Sequence, residues 1–133
     1  MRAIPRFLAP SILKSSQRGK FAPEPTKEEI SMAGFEIVAY AGDAKTAVMK
    51  ALTAAQDGKF DEAQKQLEEA QKSIDDAHNS QTKVLAEEAG GADMDVTFIM
   101  VHGQDTLMTT MLLIDETKYF VNVFKRLKAL EEK

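Results

Sequence analysis

The sequence has no cysteine and no tryptophan, and its four prolines all lie within the first 25 residues. The absence of cysteine excludes disulfides, cysteine zinc sites and thiol nucleophiles, none of which a cytoplasmic chain needs. The absence of proline from residues 26–133 leaves nothing to interrupt long helices, and alanine, glutamate, glutamine, lysine, leucine and methionine fill most of that stretch. We therefore predict an all-α protein of one domain, with a cytoplasmic location.

Acidic residues are missing from the start of the chain. Five of the 17 bases precede the first acid, Glu24, and the rest of the chain holds 12 bases and all 21 acids, a net charge of 12 − 21 = −9. Nucleic-acid binding needs clustered lysine and arginine, so an acidic body argues against it. The charge suits a protein partner with a basic face.

Residues 1–25 differ in composition from the rest and are predicted to form an N-terminal extension to a helical domain at residues 26–133. Their prolines exclude a long helix, and their serine and glycine are typical of a linker. We expect a disordered arm. A transit peptide, which would share the low acid content, and an arm that docks on another surface are the alternatives. No window is apolar over enough residues to span a bilayer.

The first helix is predicted to begin at Thr26, which forms a capping box with Glu29, and to end near Asp57, before Gly58. Small residues recur along one face of this helix and would let a neighbouring helix approach closely: Gly34, Ala41, Ala44, Val48, Ala51 and Ala55.

The second helix is predicted to begin at Asp61, with Gln64 as a weaker capping partner, and to end at Gly90 and Gly91. Its apolar residues are spaced by three and four, as in a coiled-coil seam with one polar interruption: Phe60, Ala63, Leu67, Ala70, Ile74, Ala77, Gln81 and Val84.

The third helix is predicted to begin near Asp95 and to continue to the end of the chain. Short connections between long helices favour antiparallel neighbours, so the protomer should be an antiparallel three-helix bundle running up, down and up. The third helix is apolar on more than one side, and two neighbours cannot cover all of it. Part of its surface should therefore be an oligomer interface.

One polar stripe follows the third helix, where His102, Asp105, Thr106 and Thr109 are spaced at i, i+3, i+4 and i+7. Three interpretations fit this spacing: a satisfied buried polar layer, a functional histidine and half of a metal site. A neutral imidazole can accept and pass on a group, and Gly103 beside it would let a partner approach closely.

Asp105 is the lone charge between Asp95 and Asp115. On the axis of a symmetric oligomer, several copies of this carboxylate would converge and would require a cation or protons. The other histidine, His78, lies in a polar run of the second helix and is best explained as a solvated or hydrogen-bonded structural residue.

Three motifs in order resemble one known family. Residues 34–44 (GFEIVAYAGDA), 77–82 (AHNSQT) and 102–110 (HGQDTLMTT) are similar to the lactose/cellobiose-specific enzyme IIA of the bacterial sugar phosphotransferase system, especially its lactose-type branch. The resemblance covers roughly residues 28–127. It implies a phosphoryl carrier in disaccharide uptake, a three-helix protomer and a nine-helix homotrimer. A non-catalytic trimeric helical scaffold is the alternative.

The resemblance also implies roles for residues. His102 would take phosphate from the phosphocarrier HPr and give it to a cysteine of a IIB component, itself linked to the membrane component IIC, which selects the sugar. Asp105 of each subunit would bind a divalent cation, commonly Mg²⁺, on the trimer axis. Gln81, Gln104 and Thr106 match positions near the active site. Thr106 departs from the family, which usually has a second histidine there.

Overall fold

The computed structural model describes residues 23–133, which form three α-helices and no strand. The helices are α1 (Lys27–Gln56), α2 (Phe60–Ala89) and α3 (Phe98–Glu131). At about 1.5 Å per residue, each is roughly 45–50 Å long. The extension predicted for residues 1–25 lies almost wholly outside the described residues. None of these helices is long and apolar enough to cross a membrane.

The ends of α1 confirm the predicted signals. Thr26 accepts the backbone N–H of Glu29 at 3.1 Å, and Glu29 Oε2 accepts the backbone N–H of Thr26 at 2.7 Å, which completes the capping box. At the other end Gly58 has φ of +74°, and the N–H of Lys59 returns to the carbonyl of Ala54 at 2.8 Å. A glycine in the left-handed region therefore ends α1.

The start of α2 differs from the prediction. The helix begins at Phe60, one residue earlier, and its cap, Lys59, makes no side-chain hydrogen bond to the helix. The predicted pair of Asp61 and Gln64 is wrong, because Gln64 donates instead to Glu68 one turn further on, at 3.1 Å. The helix thus begins without a side-chain cap, and burial of its apolar face stabilises it instead. Its end is as predicted, at Ala89.

The start of α3 also differs, by three residues. The helix begins at Phe98, and its cap is Thr97, whose Oγ1 accepts the N–H of Met100 at 3.2 Å. Asp95 and Thr97 are both residue types that favour this position. Thr97 is buried against the bundle and Asp95 is exposed, so packing selects the later cap.

Contacts between helix ends establish their directions. The start of α1 meets the start of α3 at Gly34, where a Cβ would lie 2.9 Å from the backbone nitrogen of Met100. The start of α2 meets the end of α3, where Lys128 Nζ lies 5.7 Å from the centre of the Phe60 ring. Hence α1 and α3 run parallel, α2 runs antiparallel to both, and the predicted up-down-up order is confirmed.

The core lies along the two predicted seams. All six small residues of α1 are buried, and so are six of the eight seam positions of α2, while Phe60 and Val84 are half-buried. In α3 the buried residues follow the same spacing: Met100, Gly103, Leu107, Thr110, Ile114, Thr117 and Val121. One face of α3 is therefore covered by α1 and α2, and the opposite face is not.

Candidate functional site

The uncovered face of α3 is a stripe of exposed apolar side chains interrupted by one carboxylate. Each residue advances about 100° around a helix, so these positions fall within a sector of about 60° opposite the buried residues. The stripe consists of six exposed residues: Val101, Asp105, Met108, Leu112, Tyr119 and Val123. The predicted excess of apolar surface on this helix is confirmed, and we call this stripe the outer face of α3.

His102 lies beside the outer face, in the second turn of α3. Its side chain is exposed, and its imidazole makes no hydrogen bond or ion pair with the described residues. The predicted polar stripe is accordingly not a buried layer within the protomer, since His102, Asp105 and Thr109 are all exposed. An imidazole without partners keeps its ring nitrogens available to an incoming group.

Thr106 and Thr109 of the predicted polar stripe form hydrogen bonds to the backbone of their own helix. Thr106 Oγ1 donates to the carbonyl of His102 at 2.8 Å, and Thr109 Oγ1 donates to the carbonyl of Asp105 at 2.7 Å. Such bonds to the carbonyl one turn back are common for threonine in helices. The hydroxyl of Thr106 is thus directed at the backbone of His102 and not at its ring.

Gly103 has a different partner from the expected one. It is buried, and a Cβ at this position would lie 3.0 Å from the carbonyl oxygen of Gly34 on α1. The missing side chain therefore lets α1 approach, and the prediction that it clears space for another protein is wrong. Gly34 and Gly103 together let α1 pack closely against the turn of α3 that carries His102. The sequence identified Gly34 only as one of the small residues of α1 and did not indicate this contact.

Gln81 and Gln104 are brought together across α2 and α3, where Gln81 Nε2 donates to Gln104 Oε1. This bond explains the polar interruption in the seam of α2, because Gln81 is 8% exposed and finds its partner on the neighbouring helix. Gln104 also points Nε2 at Met100 Sδ, 3.7 Å away.

The glutamine pair and His102 are on different sides of α3. Residues two positions apart differ by about 200° in their direction around a helix, so Gln104 faces α2 while His102 faces away from it. Within one protomer the predicted active-site neighbours therefore lie on two sides of α3. Thr106 is next to His102, and Gln81 and Gln104 are not.

His78 is exposed on α2 and lines a small cavity of about 90 Å³ with Met111 and Asp115 of α3. On α2 it is three residues, just under one helical turn, from Gln81, toward the far end of the bundle. The structure thus separates the two histidines, and exposure agrees with a solvated His78.

No group of three or more His, Asp or Glu side chains within residues 23–133 is arranged to hold a metal ion. Asp105 is exposed between Val101 and Met108 on the outer face of α3. A single carboxylate in an apolar setting is a poor metal site alone. A cation would need the same residue from further copies.

Comparison with known sequences finds one family. The family described as "PTS system, Lactose/Cellobiose specific IIA subunit" matches residues 32–125. A "PTS system lactose-specific EIIA component" of Lacticaseibacillus casei is 68% identical over 108 residues, which is 81% of this chain and 96% of that protein. The protein of the same name from Staphylococcus epidermidis is 48% identical over 100 residues, 75% of this chain and 96% of its own length.

Solved structures agree with the sequence comparison. The cellobiose-specific enzyme IIA of Bacillus anthracis superposes with a TM-score of 0.73 at 30% identity, over 78% of this chain and 94% of that one. The IIA(Chitobiose) protein of Escherichia coli, solved in complex with HPr, superposes with a TM-score of 0.63 at 29% identity, over 77% of this chain and 97% of that one.

Proposed function

This chain belongs to the lactose/cellobiose-specific IIA family of the sugar phosphotransferase system, and we propose that His102 is the residue that carries the phosphoryl group. The observation that supports this proposal is the exposed imidazole without a hydrogen-bond partner among residues 23–133, on the helix turn held by Gly34 and Gly103. Membership of the family assigns the chain to sugar uptake, and the carrier would work in the cytoplasm.

The imidazole of His102 has the chemistry for such a role. In the first step a ring nitrogen attacks the phosphorus of a phosphohistidine on the donor. The donor's N–P bond breaks, its electron pair returns to the donor ring, and a new N–P bond forms on His102. The departing imidazole takes up the proton that the phosphorylated ring gives up. Imidazole is both a good nucleophile and a good leaving group, so the bond can be broken again.

In the second step a cysteine thiolate attacks the phosphorus, an S–P bond forms and the imidazole of His102 leaves. This chain has no cysteine, so the thiolate must come from another protein, for which we propose the IIB component linked to IIC. We propose HPr as the donor because a structurally similar IIA protein was solved in complex with HPr. The charge of −9 on residues 24–133 suits partners with basic docking faces.

We propose further that three copies associate through the outer face of α3. Met108 and Leu112 are 54% and 59% exposed, and Tyr119 is 75% exposed. Apolar side chains repeated on one face of a long helix favour a parallel association with copies of the same helix. Three protomers related by a threefold axis would form a bundle of nine helices with the outer faces at its centre.

Asp105 would then lie at the axis in three copies. Three carboxylates brought together in an apolar bundle repel one another unless a cation compensates their charge. Carboxylate oxygens are the ligands that Mg²⁺ prefers, so three Asp105 side chains fit this cation, with water completing its coordination. The cation would supply charge compensation for assembly, and no step of the transfer passes through it.

A threefold assembly would also bring the glutamine pair to the phosphoryl site. His102 and Gln104 flank the outer face on opposite sides, so each faces a neighbouring subunit once the outer faces meet on the axis. The carboxamide of Gln104, held by Gln81, would then lie near His102 of an adjacent subunit, where its N–H groups can donate to phosphoryl oxygens. Thr106 would contribute indirectly, by fixing the backbone beneath His102.

Transfer from phosphorylated HPr tests the proposed function directly. We expect purified HPr carrying ³²P-phosphate to label this chain, and the label to be lost in acid and retained in base, as a phosphoramidate bond to histidine requires. Mass spectrometry of the labelled chain should place the added phosphate on residue 102. A chain that takes no label from HPr would instead support the alternative of a non-catalytic helical scaffold.

Chelation tests the proposed cation site. With EDTA, the wild-type trimer should dissociate or melt several degrees lower, because uncompensated carboxylates destabilise the assembly by roughly 1–3 kcal/mol. Asp105→Leu should form a trimer whose mass, measured by light scattering, and melting temperature do not respond to EDTA. Asp115→Leu, which removes an exposed charge outside the outer face, is the control and should respond as the wild type does. An EDTA-insensitive wild type would refute the axial cation.

A further inference from the structure

The first turns of α1 present an exposed surface that combines acidic and apolar side chains. Met32 is 66% exposed and Phe35 is 56% exposed, beside the exposed carboxylates of Glu28, Glu29 and Glu36. Together they line a shallow depression of about 870 Å³. None of the three carboxylates forms an ion pair with a lysine or arginine among the described residues. We call this region the α1 surface.

The α1 surface is at the same height of the bundle as His102. Gly34 on α1 contacts the backbone of Met100, and Gly103 on α3 contacts the carbonyl of Gly34. Phe35 follows Gly34 in the sequence and His102 precedes Gly103, and both side chains are exposed. Whatever covers the α1 surface therefore lies close to the access route to His102.

The segment at residues 1–22 has the complementary composition. It contains five bases and no acid, together with apolar residues spread along its length: Arg2, Arg6, Lys14, Arg18 and Lys20, and Ile4, Phe7, Leu8, Ile12 and Leu13. A positively charged, partly apolar segment matches a surface of carboxylates around two exposed apolar side chains. The family match begins at residue 32, so this segment is outside it.

The segment is attached next to the α1 surface. Glu24 Oε2 accepts the backbone N–H of Asp93 at 2.7 Å, which fixes the start of the described chain to the α2–α3 connection, at the end of the bundle that carries His102. A chain of 22 residues spans at most roughly 75 Å, and the α1 surface begins five residues after its attachment point. Tethering at this range raises the local concentration to about the millimolar level, so even weak contacts are populated.

We propose that residues 1–22 dock on the α1 surface through these charges and apolar side chains. The consequence for activity rests on the proposed function: the docked segment competes with HPr for the approach to His102. Compared with a chain that lacks the five bases, transfer should then be slower at low salt, where the contacts of the segment are strong, and the difference should shrink when salt screens them.

A spin label can test the docking independently of phosphoryl transfer. The chain has no cysteine, so Ser16→Cys gives a single site for a nitroxide. We expect the label to broaden the amide NMR signals of residues 28–36 at least about threefold more than those of residues 82–89 on α2, which lie at the same end of the bundle, and about 0.5 M salt to reduce the broadening. No selective broadening at residues 28–36, or selective broadening of another surface, would overturn the proposal.

Charge substitutions provide the matched comparison. Glu28→Gln with Glu36→Gln should reduce the broadening at least about twofold, whereas Glu68→Gln with Glu69→Gln, an equal change of charge on α2, should leave it unchanged. Equal effects of the two double variants would reject the α1 surface as the docking site.

The rate of phosphoryl transfer from HPr gives the functional outcome. Replacing the five bases of residues 1–22 by glutamine in the full chain should increase the initial rate about two- to tenfold at low salt, and the difference should disappear at about 0.5 M salt. An unchanged or reduced rate would overturn the competition with HPr. If neither chain is labelled, the proposed function fails, while the spin-label result still decides whether the segment docks.

Discussion

His102→Ala is expected to reduce labelling by phosphorylated HPr to background, a loss of at least about a thousandfold. The variant removes the ring nitrogen that would form the N–P bond, and no neighbouring side chain can replace it. Thr106 is one turn further along the same side of α3, and its hydroxyl donates to the carbonyl of His102. The measurement is the initial rate of ³²P transfer, compared at equal concentrations of folded protein.

His78→Ala is the matched control for this prediction. His78 is the only other histidine, it is also exposed on a helix, and it lies beside Met111 and Asp115 well along the bundle from His102. We expect its removal to leave the transfer rate within about twofold of the wild type. Labelling that persists in His102→Ala and disappears in His78→Ala would move the phosphoryl group to α2 and contradict the proposed site.

Loss of activity in His102→Ala should not result from unfolding. The side chain of His102 is exposed and makes no hydrogen bond with the described residues, so its removal should change the free energy of unfolding by less than about 0.5 kcal/mol. Urea unfolding of the two chains checks this expectation. A large loss of stability would indicate that the polar stripe has the structural role considered as its alternative.

Gly34→Ala is expected to be more destabilising than the same change at the other helical glycines, Gly42 and Gly103. The new Cβ would lie 2.9 Å from the nitrogen of Met100 and 3.0 Å from the carbonyl carbon of Ile99. These are backbone atoms, which cannot rotate away as a flexible side chain can. Overpacking of this kind costs about 1–3 kcal/mol, partly offset by the better helix propensity of alanine. We expect a net loss of about 1–2 kcal/mol.

Gly42→Ala offers a comparison on the same helix. A Cβ at Gly42 meets nothing within 4 Å, so only the gain in helix propensity remains, and stability should rise by about 0.5–1 kcal/mol. Urea unfolding measures both variants, and amide NMR shifts in residues 98–106 should report displacement of α3 in Gly34→Ala alone. Equal stability of the two variants would show that the crossing at Gly34 adjusts without cost.

Local signals in the sequence were sufficient for most of the fold. The capping box of Thr26 and Glu29, the glycine after α1 and the two apolar seams predict three helices and their faces, because each depends on residues within one or two turns. The same reasoning failed at the starts of α2 and α3. Asp95 and Thr97 are both competent caps, and burial of Thr97, which depends on other helices, decides between them.

The features of the candidate site were likewise predicted in part by the sequence and in part shown only by the tertiary structure. The sequence by itself determined the all-α class, the up-down-up order and the isolated histidine with its polar stripe on an apolar helix, since these follow from composition and periodicity. Only the tertiary structure decided that Gly103 accommodates α1, that Gln81 bonds to Gln104, and that this pair lies on the opposite side of α3 from His102. The physical reason is that such contacts join residues more than 20 positions apart, and their geometry depends on how closely whole helices pack.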